Sequence, residues 1–109
     1  MSRIVWFEVP AEDRQSQLEF YCNVLDWGKT SYGGPEMFNL GDNLGGEPTA
    51  DVEHPVIYFE VADIEAIQGK VEAAGGTVVV PKTDIGGGMG FYARLRDPEG
   101  HVFGVWSKE

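Results

Sequence analysis

The chain has 109 residues, 42% of them hydrophobic and 12% aromatic, and its eight basic residues face 18 acidic ones for a formal net charge of −10. That length and apolar content exclude global disorder and suit one domain with a real core. The acidity argues against nucleic acid as a partner, because phosphate binding needs clustered Lys and Arg; it is compatible with a cationic ligand drawn in by the field, and equally with charge that only keeps the chain in solution. No apolar run approaches the ~20 residues needed to span a bilayer, so no membrane partner is expected.

The N-terminal "MSRIVWFEVP" lacks the apolar core and cleavage site of a signal peptide, and a lone cysteine, Cys22, forms no internal disulfide. A cytoplasmic protein is the expectation. Arg3 to Val9 reads as a strand rich in β-branched and aromatic residues, ended by Pro10. Glu12 to Leu25 reads as a helix, with Leu18, Tyr21, Cys22 and Leu25 on one buried face and Phe20 and Val24 widening the stripe. Cys22 is then a small core residue rather than a nucleophile. Three short strands are possible in "WGKTSY", "EMFNL" and "LGGEP", separated by turn signals at Gly33-Gly34-Pro35 and Gly41-Asp42-Asn43. The segment from Gly45 to His54 has little apolar content and reads as a loop.

The cycle restarts at "PVIYFEV", residues 55 to 61, a strand. Asp63 is a helix N-cap, Ile64, Ile67, Val71 and Ala74 fall at helical spacing, and Gly75-Gly76 stops the helix. "TVVVP" is a short strand, "GGGMG" at 86 to 90 a loop, and "FYARLR" and "HVFGVW" a hairpin closed by the turn "DPEG". The glycine loop lacks the Lys-Ser/Thr of a phosphate loop and opens no helix, so a hairpin loop or mobile lid is expected there.

Two stretches mark the restart: "WFEV" at 6 to 9 and "YFEV" at 58 to 61. An internal duplication is the simplest account, with units of about 1–50 and 55–109 in one domain. The expected fold class is α+β, two βαβββ units forming a curved mixed sheet with helices on the convex face. Side chains alternate along a strand, so Val5, Phe7 and Val9, like Ile57, Phe59 and Val61, should pack under the helices. Ile4, Trp6 and Glu8, like Val56, Tyr58 and Glu60, then point to a concave face. A carboxylate in such a place needs a partner, and Arg94 or Arg96 can supply one.

The stretches "FEVPAED…LEFYCNVLDWG" at 7 to 28 and "YFEVADIEAIQGKVEAAGG…DPEGHVFGVWS" at 58 to 107 resemble the vicinal oxygen chelate superfamily, the group of glyoxalase I, bleomycin-resistance proteins and extradiol dioxygenases. The resemblance implies a homodimer and a small-molecule partner in the concave cup. Enzymes of this family hold a divalent metal there, on ligands from the first and last strands of each unit. In register with Val9, Val61 and "DPEG", three of the four positions fall on Ile4, Val56 and Gly104, none of which can bind a metal through its side chain. The fourth falls in the unmatched stretch and stays unassigned.

The expected cofactor set is therefore none, and the expected ligand-binding residues are Trp6, Glu8, Tyr58, Glu60, Arg94 and Trp106, facing a cationic or aromatic organic molecule. No catalytic residue is assigned. Glu8 and Glu60 could instead serve as an acid/base pair, or simply as structural partners of an arginine. The alternatives are a metal-dependent glyoxalase- or dioxygenase-like enzyme with unorthodox ligands such as Glu8 and Glu60, and a non-enzymatic partner-binding domain. His54 and His101 read as solvated loop residues, although either could join Glu47 or Asp51 in a cluster.

Overall fold

The computed structural model describes all 109 residues. Eight strands and two helices follow in the order β1 (Ile4–Pro10), α1 (Arg14–Leu25), β2 (Gly28–Thr30), β3 (Met37–Asn39), β4 (Gly45–Thr49), β5 (Val56–Glu60), α2 (Ile64–Ala73), β6 (Thr77–Asp84), β7 (Phe91–Arg96) and β8 (Val102–Ser107). This is the α+β class, with βαβββ occurring twice. Two compact units are formed, Val5–Val56 and Met1–Ile4 with Ile57–Glu109.

In the first unit β1 runs parallel to β4, while β4 and β3, and β3 and β2, pair antiparallel. The loop expected at Gly45 is thus a strand for its first five residues. Its apolar content is low because glycines carry the contact: the rings of Trp6 and Phe7 lie where side chains at Gly45 and Gly46 would stand. Helix α1 is capped by Asp13, whose Oδ1 accepts from the Ser16 amide at 3.1 Å, and it ends at Asp26 in the left-handed conformation. Leu18 and Cys22 are buried against Val9 and Phe38, with Phe7, Tyr21 and Trp27 packed round them. Phe7 and Phe38 stack at 5.6 Å between centroids, and Trp27 meets Phe38 edge-on at 5.0 Å.

The stripe is narrower than expected. Phe20 and Val24 are 55% and 63% exposed and Leu25 is 49% exposed. At about 100° per residue, Phe20 and Val24 lie on the far side of the helix from Leu18 and Cys22. Leu25 shares their angle but is the last helical residue, where Asp26 turns the chain away.

The second unit repeats the plan. β5 runs parallel to β8, and β8, β7 and β6 pair antiparallel. Asp63 caps α2 through Oδ1 and the Ala66 amide at 3.1 Å, and Gly75, at φ +94°, lets the chain leave it. Ile64, Ala93, Leu95 and Val105 form the core, flanked by Val61, Ile67, Val71 and Phe103. Phe59 packs on Phe103 at 6.2 Å. Ile57, expected on the same face, is 45% exposed, because pairing with β8 begins only at Tyr58. β6 outlasts "TVVVP" and runs to Asp84, with register shifts around Pro81 that accommodate a residue lacking an amide donor.

Candidate ligand-binding site

With Ala93, Leu95 and Val105 turned to α2, alternation gives the other face of the second unit to Tyr58, Glu60, Tyr92, Arg94, Gly104 and Trp106. Tyr58 and Arg94 both pair with Gly104, and Glu60 and Tyr92 both pair with Trp106. The four predicted residues of this unit therefore share one patch. Arg94 Nε donates to the Tyr58 hydroxyl oxygen at 2.8 Å, and its guanidinium lies over the Tyr92 ring, 5.4 Å from the centroid. Tyr92 also meets Tyr58 edge-on at 6.5 Å. Tyr92 escaped the sequence reading, although it precedes Arg94 by two residues and so must share its face.

The patch is uneven in depth. Tyr58 is 3% exposed, Arg94 and Trp106 are half-buried, and Glu60 is exposed. The Glu60 amide donates to the Arg3 carbonyl at 2.8 Å, and Glu60 borders an open groove of about 470 Å³ together with Met1 and Lys108. Trp106 Nε1 donates to the Met89 carbonyl at 2.9 Å, which ties β8 to the glycine loop. Gly90, at φ +91°, passes so close to the Trp106 indole that a Cβ would stand 2.9 Å from Nε1. Arg96 is exposed and pairs with Val102 and Thr77.

In the first unit, Trp6 and Glu8 share the face away from α1. Trp6 is half-buried and pairs with Gly45, while Glu8 is 6% exposed and pairs with Glu47. Glu47 is held by Arg14 of α1 at 3.2 Å, and Arg14 also donates to the Glu36 carbonyl at 2.6 Å. The repeated glutamates thus differ: Glu8 is buried and Glu60 is on the surface. His54 and His101 are both exposed.

The residues present do not fit the metal of the resembled enzymes. Ile4 and Val56 have no donor atom, and a Cβ at Gly104 would fall inside the Tyr58 ring's contact radius, at Cδ2 and Cε2. No group of three or more His, Cys, Asp or Glu side chains is placed to hold a metal ion. Nor is any helix long and apolar enough to cross a membrane.

Comparison with known proteins supports the fold. The chain is 30% identical over 118 aligned residues to CFP32 of Mycobacterium tuberculosis, provisionally named a glyoxylase, covering 93% of this chain and 44% of that one. It is 25% identical over 127 residues to the anthracycline biosynthesis protein DnrV of Streptomyces peucetius, covering 94% and 46%. The chain thus spans somewhat less than half the length of these curated relatives. A solved glyoxalase/bleomycin resistance protein/dioxygenase superfamily member from Vibrio splendidus 12B01 superposes with a TM-score of 0.67 at 17% identity, covering 98% of both chains. The model of the Glyoxalase/Bleomycin resistance protein/Dioxygenase superfamily matches residues 3–105, and the chain belongs to that superfamily.

Proposed function

We propose that this protein binds a small organic ligand, cationic or aromatic, without a metal and without catalysing a reaction, in the manner of a bleomycin-resistance-like member of its superfamily. One observation carries the reading: the family's donor positions Ile4, Val56 and Gly104 offer no side-chain ligand, and Tyr58 lies over the last of them. What remains on that face is aromatic and hydrogen-bonding chemistry. Trp106, Arg94 and Glu60 make the contacts in the second unit, with Tyr58, at 3% exposure, holding Arg94 in place. Trp6 is the corresponding contact of the first unit, with Glu8, at 6% exposure, buried on the same face beside Glu47.

The acidic balance of the chain supports a cationic ligand, and the relative named for anthracycline biosynthesis lends weight to an aromatic one. In this reading the protein is cytoplasmic, in keeping with its single cysteine, and pairs as a homodimer as the superfamily resemblance implies.

A thermal-shift screen against cationic and aromatic metabolites tests the proposal, run beside Trp6→Ala and Glu60→Gln. Stabilisation by a ligand class, weakened in both variants, is the expected result. No stabilisation by any compound, or stoichiometric Ni, Zn, Fe or Mn in protein purified without chelator, would overturn it.

A further inference from the structure

Each unit lays the aromatic ring of its first strand over a glycine of the parallel strand beside it. In the second unit the pair is Tyr58 and Gly104, and in the first it is Trp6 and Gly45. "WFEV" and "YFEV" put Trp6 and Tyr58 at equivalent places, so the ladder makes Gly45 the counterpart of Gly104. The family position that sequence could not assign in the first unit therefore falls on Gly45.

Space at the two glycines is already taken. A Cβ at Gly104 would run into Cδ2, Cε2 and Cγ of Tyr58. Tyr58 is poorly placed to yield, being 3% exposed, bonded through its hydroxyl to Arg94 Nε and set edge-on to Tyr92. A Cβ at Gly45 would stand 3.0 Å from Trp6 Cζ3 and 2.9 Å from the Phe38 carbonyl oxygen. Close-packed interiors resist such insertions, because the neighbour must leave its rotamer or the backbone must shift.

We infer that Tyr58 and Trp6 are plugs, each closing the last-strand donor position of its own unit to any side chain and hence to a coordinated metal. This rests on the metal-free reading and deepens it. The missing donors are not three independent losses that one substitution at Gly104 could reverse, because ring and glycine form a matched pair. The two units are closed separately, and the second more tightly, since its ring is pinned by a hydrogen bond and its clash is with the ring body.

A double-mutant cycle tests the pairing. Gly104→Ala is made in the wild-type and Tyr58→Ala backgrounds, and Gly45→Ala in the wild-type and Trp6→Ala backgrounds, with thermal unfolding as the readout. Gly104→Ala should lower Tm by ~5 °C or more when Tyr58 is present and by less than half of that when it is absent. Should Tyr58→Ala not fold, Tyr58→Val takes its place; the Trp6 and Gly45 cycle should show the same sign with a smaller difference, because the Phe38 carbonyl oxygen stands against a Gly45 Cβ in both backgrounds. Mn(II) titrations followed by electron paramagnetic resonance are run on wild type and Gly104→Glu, and the free-ion spectrum should persist in both. Equal Tm losses from Gly104→Ala with and without the Tyr58 ring, or a Gly104→Glu variant of unchanged Tm that takes up stoichiometric Mn(II), would overturn the plug while leaving the metal-free reading of the wild type intact. Stoichiometric uptake by the wild type would overturn both.

Discussion

Arg94 Nε donates a 2.8 Å hydrogen bond to the hydroxyl of Tyr58, a side chain only 3% exposed. The guanidinium is fixed further by the Tyr92 ring beneath it. In the proposed site Arg94 is thereby oriented in advance, which would lower the ordering cost of binding a ligand there. Tyr58→Phe keeps the ring over Gly104 and removes the acceptor. It should cost about 1.5 kcal/mol, the low end for a hydrogen bond to a charged group, since Arg94 is half-buried. Urea unfolding midpoints would show the loss, with an unchanged m-value.

Trp106 holds the glycine loop through the 2.9 Å bond from Nε1 to the Met89 carbonyl. Trp106→Phe removes the donor and keeps an aromatic ring. Amide hydrogen exchange at Ile85 and Met89, whose N–H groups bond Gly90 and Gly86 carbonyls, should quicken by about fivefold. Exchange elsewhere in β7 and β8 should stay as in the wild type.

Asp13 has its carboxyl held below the ordinary carboxylate range, first by the Ser16 backbone amide and then by the Ser16 side chain. A depressed folded value means that the cap stabilises the fold at pH above the ordinary carboxyl value. That contribution is lost as pH falls through the folded value, below about pH 4. Asp13→Ala should lower Tm by roughly 4–8 °C at neutral pH. The gap from wild type should close on acidification, which a series of melts from pH 6 to pH 3 would reveal.

Cys22 has its thiol pushed above the ordinary value, chiefly by burial, with Lys29 pulling it down and Glu36 pushing it up. It is 7% exposed, and Sγ lies 3.8 Å from the Gly28 carbonyl. The folded protein should react with a disulfide reagent at pH 8 at least tenfold more slowly than urea-unfolded chain. Because the fold keeps the thiol protonated, stability should fall as pH rises past about 8.5, where an unfolded thiol ionises. Cys22→Ala should remove that alkaline slope.

Much of the fold was legible because its signals are local. Alternation in "WFEV" and "YFEV", the cap at Asp63 and the Gly75 stop each lie within a few residues, and the two βαβββ units follow from them. β4 was only weakly legible, as a possible strand at "LGGEP" set against a loop from Gly45 to His54, for the opposite reason. "GGEPT" has no strand-like composition, and it becomes a strand only because β1 on one side and β3 on the other offer it partners.

The site divides along the same line. Sequence alone determined which residues of one strand share a face: Tyr58 with Glu60, Gly104 with Trp106, Trp6 with Glu8, since alternation is a property of the strand itself. Depth and partners were decided by tertiary structure. The same aromatic-Phe-Glu-Val ends with Glu8 at 6% exposure beside Glu47 and with Glu60 on the surface beside Trp106. Lateral strand pairing joins residues far apart in the chain, and it alone sets what lies next to each carboxylate and which glycine lies beneath each ring.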